Sequence, residues 1–365
     1  MTDHPPQEPA QATGARIAAE FQIDGRLLAF EPLVRGHIHE TFVSSFEQGG
    51  QRRRYLHQRL NPRVFTDIPA LMHNVAAVTA HLCKKPVRAG GLEALELVPT
   101  RLERHFLMAP DGPWRTYRFV EGTRSVDRCG GPEQAFAAAR AFGCFLSDLA
   151  DLPAAQLRET IPAFFSAPHR LRQFDDALAS DPLGRAAACA PELAFVAARR
   201  ELTRVFEDRL AAGTLPRRIV HGDTKLNNVL FDERDGRARC VVDLDTCMPA
   251  WTLYDFGDLV RFTAATCPED HPLPAEATVS LELYKALRDG FLSGAERCLT
   301  AIERRLMPTA ARLVTFMIGL RFLTDHLSGD VYFRIHHPGH NLERARIQFA
   351  LVADLERRGR DLESH

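Results

Sequence analysis

The chain has 365 residues, of which 45% are hydrophobic and 25% charged, and its formal net charge is -1. That much apolar material can bury a sizeable core, in one domain of two lobes or in two small domains. A near-neutral balance without a polybasic run argues against nucleic acid, and against an anionic membrane surface, as a partner. Residues 1–14, rich in Pro, Gln and Thr without an apolar h-region, are expected to form a disordered tail rather than a signal peptide. Strand patterns then dominate. Residues 27–34, 41–46 and 54–60, separated by Gly36 and by Gly49-Gly50, predict a three-stranded meander. In residues 68–82, Leu71, Val75, Val78 and Leu82 recur at spacings of three and four, which predicts an amphipathic helix. Segments 105–108 and 114–120 flank Pro110-Asp111-Gly112-Pro113, a turn signal that closes a hairpin and completes a small antiparallel sheet. Glu121-Gly122-Thr123 follows as a hinge.

Beyond the hinge the chain turns helical. Residues 133–149 place Phe136, Phe142, Phe145 and Leu149 on a broad apolar face, and residues 192–210 repeat the pattern. Three or more helices are expected between Asp258 and Arg357, with breaks at Gly329 and Pro338. The apolar run 313–320 is too short to cross a bilayer. Eight cysteines form no CxxC pair and lie in apolar stretches such as Phe142-Gly143-Cys144-Phe145, so they read as reduced packing thiols of a cytoplasmic protein. One non-helical stretch interrupts this region. It reads His221-Gly222-Asp223-Thr224-Lys225-Leu226-Asn227-Asn228, then an apolar strand ending Val241-Val242-Asp243-Leu244-Asp245, then Tyr254-Asp255-Phe256-Gly257-Asp258.

Three groups that phosphoryl transfer from ATP requires stand here in chain order. Asp223 is a carboxylate able to accept the proton of an attacking hydroxyl. Asn228 and Asp243 offer the oxygen ligands that Mg²⁺ prefers. Asp245 shares the face of Asp243 if the segment is extended, so both could point at the metal. Lys225 could rest its ammonium against the γ-phosphate. The segment resembles the catalytic loop of the aminoglycoside phosphotransferase and choline kinase superfamily, relatives of protein kinases in which His-Gly-Asp replaces His-Arg-Asp. That likeness implies an α+β, bilobal protein kinase-like fold, with a small N-terminal antiparallel sheet lobe (15–122) and a larger, mainly helical C-terminal lobe (123–365). It also implies ATP and Mg²⁺ as cofactors, Asp223 as base, Asn228 and Asp243 as metal ligands, and Asp255 with His221 as the structural support of the loop.

At the nucleotide end there is no GxxxxGK[ST] and no full GxGxxG. The first hairpin turn reads Arg35-Gly36-His37-Ile38-His39-Glu40-Thr41-Phe42, where Gly36 permits a tight approach and His37 and His39 offer donors. The third strand lacks the kinase lysine. Arg59 is the nearest cation, able to bind phosphate or to lie on a solvated face. The next helix offers His73 or Asn74 where the partner glutamate would stand. Backbone groups of Phe119, Val120 and Glu121 are the natural partners of adenine.

Several further segments are similar to N-acetylhexosamine 1-kinases, among them Gly36–Phe42, Gln58-Arg59-Leu60-Asn61, Thr160-Ile161-Pro162-Ala163-Phe164, Asp243-Leu244-Asp245-Thr246-Cys247-Met248-Pro249 and the stretch from Arg321 to Phe333. This resemblance implies a sugar 1-phosphate product, with the hexosamine held by Asp223, Arg321, Tyr332 and a histidine of the first turn, His37 or His39. Independently, Arg321 and Asp325 lie four apart, so a helix would present a donor fork beside an acceptor for vicinal hydroxyls; an ion pair is the plainer alternative. Trp251 and Tyr254 suit either sugar stacking or the core. Residues 310–350 hold more arginine than carboxylate, which fits an uncharged sugar better than a polycationic aminoglycoside. Another small alcohol, such as homoserine or a different hexose, remains an alternative acceptor, as does a kinase-like binding protein without catalysis. The chain is expected to act as a monomer or homodimer on small molecules.

Overall fold

Alternating apolar positions and a Gly-Gly turn build the first hairpins. The computed structural model describes residues 10–34, 38–86 and 91–363. Helix α1 (Ala10–Ala19) precedes strands β1 (Arg26–Pro32), β2 (Glu40–Gln48) and β3 (Gln51–Arg59), which pair antiparallel in sequence order. The chain is therefore helical from Ala10, and the expected tail shortens by that much; residues 1–9 lie outside the described residues. Gly49 and Gly50, both at positive φ (56° and 77°), close the β2–β3 turn. Helix α2 (Ile68–Cys83) starts at Asp67, whose side chain accepts from Ala70 N, and Pro69 occupies its first turn. Strands β4 (Leu107–Ala109) and β5 (Gly112–Arg118) form the expected hairpin and complete a five-stranded sheet of order β1-β2-β3-β5-β4.

The C-terminal part is α+β at the cleft and helical behind it. Strand β6 (Thr123–Arg124) pairs with β8 (Val229–Asp232), and β8 with β9 (Ala238–Val241). A separate pair joins β7 (Arg217–Val220) to β10 (Met248–Trp251). Helices α3 (Pro132–Asp148), α4 (Ala167–Ser180), α5 (Ala190–Ala197) and α6 (Val205–Ala211) precede β7, and α7 (Tyr254–Thr263), α8 (Leu281–Ala295), α9 (Ala301–Leu327), α10 (His340–Arg357) and α11 (Gly359–Glu363) follow β10. The single helix expected over 192–210 is instead broken by a 3₁₀ turn at Arg200–Arg204. Its arginines serve different neighbours there, Arg199 pairing with Glu356 and Arg200 with Asp175, and Thr203 Oγ1 donates to Arg200 O.

Two cores result. Ile17, Phe21, Phe30, Phe46 and Trp114 pack between α1 and the sheet. A larger core gathers α2 with the helices of the C-terminal part, including Leu71, Val75, Phe142, Phe256, Phe291 and Phe316. Asn74 ties α2 to that part, its Nδ2 donating to Arg158 O at 2.7 Å and Cys247 O at 3.1 Å while its Oδ1 accepts from Arg158 N. Helix α9 is long and apolar enough by composition to cross a membrane, yet 78% of its apolar window is buried inside the fold, the position of a core helix.

Candidate active site

The turn after β7 is held from every side. Gly222 has φ 82°, and a Cβ there would lie 2.7 Å from Phe165 Cζ and 2.8 Å from Thr246 O, so only glycine fits between His221 and Asp223. Asp255, buried in the first turn of α7, accepts from His221 N and Gly222 N at 2.8 Å each. Burial pushes its carboxyl up to about 6, against the pull of His221 and of those two N–H groups. Asp258 accepts from Thr224 N at 3.1 Å and is paired with Arg261. The His221 ring donates through Nε2 to Val242 O at 2.9 Å and accepts from Asp223 N, which makes it a strut between this turn and the segment after β9 that carries Asp243.

Asp223 emerges from this scaffold half-buried. Its carboxylate accepts from Lys225 Nζ at 2.9–3.0 Å and from Asn228 Nδ2 at 3.2 Å. Asn228, on the 3₁₀ turn Leu226–Asn228, also donates to Asp223 O at 2.8 Å, which leaves its Oδ1 as the oxygen available to a cation. Val242 N donates to Asn228 O, so the two loops move as one.

Asp243 departs from the extended strand expected of it. Its backbone is left-handed (φ 63°, ψ 63°) and a 3₁₀ turn, Leu244–Thr246, follows. The consequence is that strand alternation does not set the directions of Asp243 and Asp245. Asp243 is exposed to the cleft and has no hydrogen-bond partner among the described residues. Although the residue retains solvent exposure, desolvation by the protein packed around its carboxyl, followed by the nearby charges of Asp245 and Asp223, pushes it up to about 7. Asp245 is buried; it receives both Nη groups of Arg115, Nη2 at 2.8 Å, and His39 Nε2 at 2.6 Å. Burial alone would raise this carboxyl, but Arg115 and His39 hold it well below the usual carboxylate range. Asp245 thus belongs to an ion pair and does not share a metal face with Asp243.

The donor set fits magnesium. Asp243 is a partnerless carboxylate in an excess of negative charge, Asn228 adds an amide oxygen, and among the described residues no cluster of three or more His, Cys, Asp or Glu ligands forms. A hard cation that completes its shell with phosphate and water matches such a sparse set.

Arg115, which sequence reasoning missed, is the cation buried at the cleft. It lies on β5 in a run whose two faces are both covered, 1% exposed, and its Nε donates to Gln58 Oε1. A charged residue inside a continuous buried run was the only available signal. Arg59, the expected substitute, instead pairs with Glu40 and donates to Asp111 O, away from Asp245. Gly36 and His37 lie outside the described residues. In the hinge, Phe119 N donates to Arg54 O, Val120 O accepts from Thr123 and Glu121 O from Arg239, which narrows the groups open to adenine to Phe119 O and the Val120 and Glu121 N–H.

At the acceptor end, Arg321 Nη2 donates to Tyr332 Oη at 3.4 Å, and its guanidinium lies 5.2–5.6 Å from the centres of the Phe164, Tyr332 and Phe333 rings. Asp325 shares α9 with Arg321 but is not open to a sugar. It is buried and accepts from Tyr332 N, Phe333 N and Asn341 Nδ2 at 2.8–2.9 Å, so it shapes the loop after α9. Trp251 and Tyr254 are core residues, 2% and 3% exposed. Arg170, on α4, is a second guanidinium beside Arg321 that sequence reasoning missed. A cavity of about 440 Å³ elsewhere, lined by Arg261, Thr263, Cys267 and Gln348, touches the loop through Leu226 and is not lined by Asp223, Lys225, Asn228, Asp243 or Arg321.

The model of the phosphotransferase enzyme family matches residues 33–289. Among solved structures, a microcompartment-associated aminopropanol kinase aligns with a TM-score of 0.65 at 17% identity, covering 97% of this chain and 99% of that one. An aminoglycoside phosphotransferase from Alicyclobacillus acidocaldarius gives 0.61 at 16% identity, covering 98% and 97%. A spectinomycin phosphotransferase in complex with ADP and spectinomycin gives 0.58 at 13%, covering 98% and 100%. These likenesses identify the fold as protein kinase-like.

Proposed function

The chain belongs to the phosphotransferase enzyme family, within the aminoglycoside phosphotransferase and choline kinase-like superfamily, and from that premise we propose that it transfers the γ-phosphoryl group of ATP to a hydroxyl of a small sugar, specifically the 1-OH of an N-acetylhexosamine. The observation that carries this reading is the Asp223 carboxylate, immobilised on its loop beside Lys225 and Asn228 and within the field of the partnerless Asp243. Asp223 takes the proton of the attacking hydroxyl as the new O–P bond forms and ADP leaves. Lys225 stabilises charge on the transferred oxygens. Asn228 and Asp243 would hold magnesium, which when bound with the nucleotide neutralises phosphate charge. Arg115, Asp245 and His39 are positioning residues that link the sheet to the metal loop.

The sugar assignment is supported by the resemblance around Arg321 and Tyr332 and by the charge of the acceptor end. Asp325 is engaged by its own loop, so it is not free as a counter-charge for an ammonium-bearing acceptor. Asp223→Asn should lower turnover by about 10²- to 10⁴-fold with folding intact, read by coupled ADP detection over a panel of sugars and amino alcohols. Wild-type turnover in that variant would refute the base assignment. Phosphorus NMR of the product from N-acetylglucosamine separates a 1-phosphate from a 6-phosphate.

A further inference from the structure

Two guanidinium groups meet at the acceptor end, and among the described residues no carboxylate pairs with either of them. Arg170, in the first turn of α4, is 9% exposed; it donates to Phe164 O at 3.1 Å and Gln173 Oε1 at 2.9 Å, and its buried Nε has no partner. Arg321 arrives from α9, and the two guanidiniums lie 5.7 and 5.6 Å from the centre of one ring, Phe164. Among the described residues Arg321 makes one hydrogen bond, to Tyr332 Oη. The carboxylates around them are engaged elsewhere. Asp325 holds its loop, Asp330 takes Arg185 and Asn341, and Asp258 takes Arg261.

The other buried arginines show what is missing. Arg115 and Arg261 each have a carboxylate in contact, Asp245 and Asp258, whereas Arg170 has none. Burial and then the charge of Arg321 push Arg170 down to about 10, the direction expected of a sheltered cation without an anion. Sheltered charge of one sign is costly until an opposite charge arrives. The pair also adjoins the catalytic loop. Phe164 packs edge-on against Phe165, at 5.0 Å between ring centres, and Phe165 is the ring that fills the space beside Gly222.

We infer that the acceptor carries an anionic group, a carboxylate or a phosphate, which Arg170 and Arg321 bind while its hydroxyl reaches Asp223. This rests on the kinase reading of the same site and departs from its neutral N-acetylhexosamine, in favour of an acceptor that bears an acidic group. Guanidinium forks suit the planar or tetrahedral oxygens of such groups, and Tyr332, 68% exposed, lines the approach. The anionic group is unchanged by the reaction: the hydroxyl oxygen gains the γ-phosphorus, its proton passes to Asp223, and ADP departs.

Matched acceptors test this. N-acetylglucosamine is compared with its 6-carboxylate and its 6-phosphate, and glucose with glucuronate, by coupled ADP detection. The anionic member should show a kcat/KM at least about 10-fold higher, and the two anionic arms tell carboxylate from phosphate. Arg170→Gln and Arg321→Gln should each raise the KM for the anionic acceptor by about 10- to 100-fold and leave the KM for ATP unchanged. Arg321→Gln, at a half-buried site, keeps the test readable if Arg170→Gln does not fold. A neutral acceptor preferred, or a KM indifferent to both variants, overturns the inference and leaves the kinase reading standing. If no acceptor turns over, calorimetry with inorganic sulfate decides: binding by the wild type that is lost in both variants supports the site, and no binding overturns it. The kinase reading itself fails on a different result, the absence of magnesium-dependent ATP binding.

Discussion

His57 has no accessible surface, and its ring nitrogens lie 2.7 Å from Ser44 Oγ and 2.8 Å from Thr116 Oγ1. Burial pushes the imidazole down from 6.5 to about 3, so between those values the unfolded chain binds a proton that the folded one refuses. Stability from this residue is complete above about pH 6.5 and is lost as pH falls toward 3. Urea midpoints measured across that window should fall more steeply for the wild type than for His57→Gln, and parallel curves would acquit the ring. Residue by residue, legibility followed sequence distance. Asp223 and Asn228 sit in one loop, and Asp255 lies in the first turn of α7, so spacing and motif pointed to them. Asp245 misled because its direction depends on a left-handed residue, Asp243, that alternation cannot foresee. Arg115 escaped notice because its partner Asp245 lies 130 residues away, and Arg170 because the charge beside it, Arg321, arrives from another helix.

At the level of elements, α2 and α3 were legible from periodicity, whereas the capping chemistry that starts α9 emerged only from the structure. Thr300 and Glu303 form a capping box at the start of α9, with Thr300 N donating to Glu303 at 2.8 Å and Glu303 N to Thr300 at 3.2 Å. Thr300→Ala should lower the unfolding free energy by about 0.5–2 kcal/mol in chemical denaturation. Acceptor KM should hold, because Arg321 lies turns away on the same helix; a changed KM would mean that the cap orients the site. What periodicity could not supply is which helices touch. The α3–α8 contact depends on Gly294, where a Cβ would lie 2.3 Å from Arg140 O, a closeness that a single apolar face does not announce. The break between α5 and α6 has the same origin, since its arginines answer to Glu356 and Asp175 on other elements.

Across the whole molecule, the sheet and the helical part are joined through buried polar groups. Arg115 and His39 come from the sheet side, Asp245 from the loop beyond β9, and Asn74 fastens α2 to backbone at 158 and 247. In the Arg115–Asp245 pair that joins the two parts, both members are almost fully buried. Removing one partner strands a charge, so Arg115→Met should cost about 3–5 kcal/mol. Arg115→Met with Asp245→Leu should cost less than the sum of the single changes; strict additivity in the denaturation cycle would mean that the pair is not coupled. By itself the sequence determined the run of strands followed by helices and the two loops that carry Asp223 with Asn228 and Asp243, because period, turn chemistry and motif spacing act over a few residues. Only the tertiary structure decided that Asp245 pairs with Arg115, that Asp325 serves its own loop and that Arg170 stands beside Arg321. Those outcomes depend on which charges the fold encloses together, and enclosure is a property of the packed chain rather than of any segment of it.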